Sequence, residues 1–176
     1  KRMSEQIQVR TFDVVVVGAG PAGAHAAGSM ARAGLEVALV DRKPKGGAGA
    51  QWLNGVAFWM LDEAGVPRPT STMGQDKGPI FSMAVPGVQR RVRIVDNPVL
   101  DMDMRELGAE LADTFEQSSS AHPFWEHDVT DVQSNDGRME SVVVRSRDNQ
   151  QRTRLKAQLF IDASGMGAVL RRACSW

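Results

Sequence analysis

Residues Thr11–Asp41 read TFDVVVVGAGPAGAHAAGSMARAGLEVALVD. An apolar β-branched run, Val14–Val17, leads straight into Gly18-Ala19-Gly20-Pro21-Ala22-Gly23. A helix pattern of small residues follows, then a second apolar run, Val37–Val40, closed by Asp41. This is the order strand, tight turn, helix, strand, acid, within the span of one βαβ unit. Each part suits a dinucleotide. Gly18 permits the turn out of the strand, Gly20 leaves room for a pyrophosphate, and Gly23 brings the helix close to the strand. The helix start offers unpaired N–H groups and a positive dipole end, with Pro21, which needs no N–H, in its first turn. Asp41 can accept hydrogen bonds from ribose hydroxyls, and its charge would repel a 2′-phosphate. The motif alone does not choose FAD over NAD.

Length and charge bound the rest. The chain has 176 residues, enough for one domain or slightly more. Its 21 basic and 21 acidic residues balance, so nothing steers it towards nucleic acid. A single cysteine, Cys174, excludes an internal disulfide and a cysteine-based metal site. No apolar run approaches a membrane span, and no secretory signal core precedes Thr11. A cytoplasmic setting is the expectation.

Along the chain, Phe12–Val17 reads as the first strand, 21–33 as the first helix and 36–41 as the second strand. Residues 44–98 are rich in glycine and proline, and a gap of that size must have structure or function of its own. Within it, Asn54–Ala64 reads as a helix and Gln89–Val95 as a half-buried strand. Trp52, Phe58, Trp59, Met60 and Met83 read as core, with an apolar substrate or partner surface as the sharper alternative. Met104–Phe115 carries Leu107, Leu111 and Phe115 at four-residue spacing, an amphipathic helix. Phe124–Val132, Met139–Ser146 and Thr153–Ile161 read as three strands, the first two joined across an Asp136-Gly137 turn. His122 and His127, taken as one strand, would point to opposite faces, so no joint metal site is expected. No nucleophile–base pair stands out, and the catalytic groups stay unassigned.

GAGPAG near the start, a helix, a β-meander and an LFIDASG strand followed by Val169-Leu170-Arg171-Arg172 together resemble the para-hydroxybenzoate-hydroxylase-like flavoproteins, a superfamily that includes the geranylgeranyl reductases. The specific stretches are Phe12–Asp41 and Phe160–Arg172. The resemblance implies an α/β fold: a Rossmann-like FAD-binding βαβ with a parallel sheet and a three-stranded meander, incomplete without a C-terminal portion. It divides the chain into a first FAD-binding segment at 1–43, an insertion at 44–98 facing substrate, flavin or a partner, and the rest of the FAD-binding domain at 99–176. It implies FAD as cofactor, held by Gly18, Gly20, Pro21, Ala22, Gly23, Asp41 and Arg42. Val129 would meet adenine through its backbone, and Ala163, Ser164 and Gly165 would let the main chain approach the cofactor. Gly47, Ala48 and Gln51 lie where such folds return towards flavin. Arg105 stands one residue late for the family's helix-start arginine, which Met104 displaces.

The family's later Gly-Asp motif and substrate sheet are absent, so the expectation is the N-terminal part of an FAD-dependent oxidoreductase (dehydrogenase, reductase or monooxygenase) with a small-molecule substrate. A second polypeptide or C-terminal fragment would complete the flavin site, and an apolar Trp176 fits a buried continuation. The alternatives are an NAD-binding oxidoreductase domain and a non-catalytic nucleotide-binding subunit of a complex.

Overall fold

The computed structural model describes residues 7–68, 74–76, 80–84, 86–87 and 90–174; Trp176 lies outside them. In chain order the strands and helices are β1 (Gln8–Val17), α1 (Pro21–Arg32), β2 (Val37–Val40), β3 (Leu53–Ala57), α2 (Phe58–Ala64), β4 (Gly74–Asp76), β5 (Ile80–Ala84), β6 (Arg91–Val95), β7 (Val99–Asp103), α3 (Met104–Glu116), β8 (Ala121–Phe124), β9 (His127–Asn135), β10 (Arg138–Ser146), β11 (Arg152–Asp162) and α4 (Val169–Ala173). They divide into two compact units, Lys1–Ala50 with Gly108–Trp176, and Gln51–Leu107.

The first unit is built on a six-stranded sheet in the order β8-β2-β1-β11-β10-β9. β8, β2, β1 and β11 run parallel, and β10 and β9 add antiparallel. Parallel strands covered on both faces need continuous apolar runs, and Val14–Val17 and Val37–Val40 are buried at every position. Each fully buried valine contributes about 1.5–3 kcal/mol. α1 turns Gly23, Ala24, Ala27, Gly28 and Ala31 inward, small residues that let its backbone approach. It starts at Pro21 and ends ahead of Gly34, whose φ of +87° suits glycine. The parallel register aligns Val17 with Val40 and with Asp162, so β1, β2 and β11 end together. That common edge positions the site.

The second unit has an antiparallel sheet, β3-β7-β4, and a β5–β6 pair. Among the described residues, Leu61, Leu100, Met102 and Leu107 are its buried apolar residues.

Several expectations are corrected. Asn54–Ala64 is not one helix: β3 runs to Ala57 and α2 begins only at Phe58. Gly55 and Val56 are poor helix residues, and pairing of Leu53–Ala57 with Val99–Asp103 overrides local pattern. β6 alternates as expected but is exposed at every residue, not half-buried. Trp52, Trp59, Met60 and Met83 are also exposed, each by more than half, so they are not core. Phe124–Val132 is two strands. Glu126, at φ +57°, breaks it, and its N–H bonds to the Lys43 carbonyl at 3.1 Å. Phe124 therefore closes β8 in the parallel sheet, while β9 opens the meander at His127, and His122 and His127 lie on different strands.

Candidate functional site

β1 hands over to α1 at Gly18, where φ is +102° and the N–H bonds to the Val40 carbonyl at 2.8 Å. A Cβ on Gly18 would lie 2.4 Å from the Ala163 oxygen, and one on Gly23 would lie 1.9 Å from the Gly18 oxygen. Internal packing fixes these two glycines. Gly20 differs, because its nearest neighbour is the Cα of Gly49, 3.3 Å from a Cβ built there. Gly49, at φ +75°, rests against Pro21 and Gly20, so the stretch after β2 runs beside the turn.

The mouth of this turn is lined with donors. Among the described residues, no acceptor bonds to the N–H groups of Gly20, Ala22 or Gly23. No acid lies in the first turn of α1. The twelve-residue helix adds its positive dipole end. Orphan N–H groups, a positive dipole and glycine in place of side chains are the donor set that a pyrophosphate requires. The residues present therefore fit the diphosphate of FAD.

Asp41, at the end of β2, ties the turn together. Its Oδ2 accepts the Ala19 N–H at 2.7 Å and its Oδ1 accepts the Lys43 N–H at 2.8 Å. Each oxygen keeps a second lone pair, so the carboxylate can still accept a ribose hydroxyl. From Gly18 a cleft of about 440 Å³ runs past Asp41 to the start of β9. Its walls include Gly18, Asp41, Arg42, Lys43, Ala48, Gly49, His127, Asp128, Val129, Ser164 and Gly167. Outside the cleft mouth, the Arg147 guanidinium clips its rim by donating to Asp128 at 3.1 Å and to the Arg42 carbonyl at 3.3 Å.

The far wall comes from the end of β11. The Asp162 carboxylate accepts from the Ser164 Oγ at 2.5 Å, the Ser164 N–H at 3.1 Å, the Leu170 N–H at 2.9 Å and the Arg171 N–H at 3.0 Å. Burial alone would raise its pKa; these four donors outweigh that and hold it below the ordinary carboxylate value. Asp162 thus shapes the DASG turn and caps α4, while Ser164 faces the cleft.

Of the residues expected at the site, Gly18, Asp41, Arg42, Ala48, Val129 and Ser164 line the cleft. Gly20, Pro21, Ala22, Gly23 and Ala163 build the turn at its mouth. Gly165, at φ +63°, continues the DASG turn, and Gly47 closes a small turn on the Pro44 carbonyl at 2.9 Å. Gln51 and Arg105 belong to the second unit, whereas every wall residue of the cleft comes from the first. The Arg105 guanidinium is committed to Asp103, which it holds at a pKa of about 2. Sequence reasoning missed Lys43, His127, Asp128 and Gly167. Lys43 and Asp128 were signalled by adjacency to Arg42 and Val129; His127 had no signal until the strand break beside it was known. Among the described residues no group of side chains is arranged to hold a metal, and no helix is long and apolar enough to cross a membrane.

The family model described as FAD dependent oxidoreductase matches residues 13–174. Digeranylgeranylglycerophospholipid reductase 1 of Methanopyrus kandleri is 48% identical over 58 residues, which are 33% of this chain and 15% of that protein. Geranylgeranyl diphosphate reductase of Rhodobacter capsulatus is 63% identical over 41 residues, 21% of this chain and 10% of that protein. Among solved structures, a geranylgeranyl bacteriochlorophyll reductase-like protein from Thermoplasma acidophilum superposes with a TM-score of 0.77 at 20% identity, covering 89% of this chain and 40% of that one. The flavin-dependent brominase Bmp2 superposes with a TM-score of 0.74 at 17% identity, covering 93% and 40%. The chain thus spans about two fifths of the length of these solved structures, and the likeness to them is one of fold.

Proposed function

This chain belongs to the FAD dependent oxidoreductase family, and from that premise we propose that the cleft between Gly18 and Val129 holds the ADP half of FAD. The carrying observation is the row of N–H groups at Gly20, Ala22 and Gly23 that no described residue accepts, directly after Gly18, which lines the cleft together with Asp41. Those donors would take the pyrophosphate, and Asp41 the adenosine ribose. The Val129 backbone would meet adenine, and Ala163, Ser164 and Gly165 would bring main chain close to the cofactor. FAD supplies the redox chemistry, accepting and passing on electrons at its flavin ring. This chain's residues bind and orient it.

The substrate end is proposed from the relatives. Those found by sequence are named reductases of geranylgeranyl compounds, whereas the brominase is reached by fold alone. A reductase acting on an isoprenoid small molecule is therefore preferred over a dehydrogenase or monooxygenase. Segment 44–98, with Gly47, Gln51 and the exposed Trp52 and Trp59, is the proposed insertion facing flavin, substrate or partner. Arg105 is the least supported contact, because its guanidinium already pairs with Asp103. A further stretch of polypeptide, on the same or a second chain, would enclose the flavin ring. A cytoplasmic location fits the single cysteine.

The test is calorimetric titration of the full chain with FAD and with ADP. Binding of both, and competition between them, supports the assignment. Failure of both to bind in material that melts cooperatively overturns it.

A further inference from the structure

The cleft wall beyond Asp41 includes a histidine, His127, whose ring is held at two points and whose main chain is held at a third. Its main-chain N–H bonds to the Asp41 carbonyl at 2.9 Å. Its Nδ1 lies 2.7 Å from the Trp125 carbonyl oxygen. Its ring meets Phe124 edge to face, with centroids 5.4 Å apart at 90°. A carbonyl oxygen only accepts, so Nδ1 carries the proton, and in the neutral ring Nε2 is left with a bare lone pair. Among the described residues Nε2 has no partner, and His127 lines the cleft.

Its distance from the phosphate mouth follows from the sheet. Gly18 bonds to the end of β2 through Val40, Asp41 donates its N–H to the Phe124 carbonyl at the end of β8, and His127 returns to the Asp41 carbonyl. The path from Gly18 to His127 therefore crosses two strand spacings, roughly 10 Å. That is the reach of an ADP from its diphosphate to its base. Asp41, midway, stands where the ribose would lie.

We infer that His127 selects adenine by presenting Nε2 as an acceptor to the 6-amino group of the base. The inference rests on the reading of this cleft as the ADP site and extends it from the sugar and phosphates to the base. A purine with a 6-oxo group would set an oxygen lone pair against the Nε2 lone pair and be rejected. The Trp125 carbonyl and the Phe124 ring hold the imidazole in place before any ligand arrives, so little rotamer entropy is lost on binding.

Two substitutions separate this role from packing. His127→Asn keeps an N–H at the level of Nδ1 to hold the Trp125 carbonyl, and removes the acceptor. His127→Gln carries an amide oxygen out to the level of Nε2. The measurement is the pair of dissociation constants for ADP and for IDP, by calorimetry on the full chain, with melting curves to confirm the fold. The wild type is expected to prefer ADP about tenfold, the loss of one hydrogen bond and its replacement by a repulsion. His127→Asn should bring the two constants within about twofold, and His127→Gln should restore most of the preference. An unchanged ratio in His127→Asn, or equal binding by the wild type, overturns the role of His127 while leaving the cleft as the ADP site. A wild type that binds neither nucleotide overturns that reading as well.

Discussion

The carboxylate of Asp41 holds the main chain of Ala19 through a 2.7 Å hydrogen bond across twenty-two positions of sequence. The acid at the end of β2 is thus part of the glycine turn itself, and its other oxygen holds the Lys43 N–H. Asp41→Asn replaces two acceptors by one acceptor and one donor. Whichever way the amide turns, an N–H faces an N–H. The expected result is a loss of about 1–3 kcal/mol in denaturant unfolding, together with weaker ADP binding. Asp41→Asn with wild-type stability would show that these two bonds hold nothing.

Two glycines of α1 separate packing from propensity. A Cβ on Gly23 would sit 1.9 Å from the Gly18 carbonyl oxygen, which is backbone and cannot step aside. A Cβ on Gly28 would meet the mobile end of Arg32 at 3.3 Å and the Phe115 Cα at an ordinary 3.7 Å. Gly23→Ala should therefore destabilise by more than about 2 kcal/mol. Gly28→Ala should be neutral or stabilising by up to about 1 kcal/mol, because alanine is the better helix former. Thermal melts of the two variants check this, and equal effects would refute the packing argument.

Asp162 makes the chain acid-sensitive. Burial opposes its charge, but donors from Ser164, Arg171 and Leu170 hold its pKa below the ordinary value. A carboxylate with a depressed folded pKa adds stability above its unfolded pKa, and that share is lost as pH falls through the folded one. The loss should begin below pH ~4 and continue downward. Asp162→Asn should lower stability at neutral pH and flatten its decline in acid. Unfolding midpoints from pH 7 to pH 2 test this, and a decline as steep as that of the wild type would refute it.

The first βαβ unit was legible because its signals are local. Val14–Val17, Gly18, Pro21, Gly34 and Val37–Val40 each announce their own backbone state, and the structure uses them so. The LFIDASG strand was legible for the same reason. What could not be read was set by partners distant in sequence. Val56 lies in β3 because it pairs with Leu100. Phe124 and Val129 fall on separate strands because Glu126 bonds to Lys43, eighty-three positions away. Asp162 had no assigned role in the sequence, yet it gathers bonds from α4 that no spacing reveals. The cleft shows the same division: Gly18 and Asp41 were readable from the motif, whereas His127 enters only through the strand break at Glu126 beside it.

Gly49 and Gly34 offer a final contrast, this time bearing on the ligand. Both have positive φ, +75° and +87°, so alanine at either carries similar backbone strain. They differ in surroundings. A Cβ on Gly34 would meet nothing within 4 Å, whereas one on Gly49 would lie 2.8 Å from the Pro21 Cδ and 3.1 Å from the Gly20 Cα. The Gly49 side chain would thus press on the turn whose N–H groups are offered to the pyrophosphate. Gly34→Ala should cost about 1 kcal/mol of stability and leave ADP affinity unchanged. Gly49→Ala should cost a comparable amount and weaken ADP binding by about tenfold, because misaligned donors lose most of their charge-assisted bonding. Titration of both variants with ADP decides the matter. If Gly49→Ala binds ADP as tightly as Gly34→Ala, the stretch after β2 has no part in shaping the phosphate mouth.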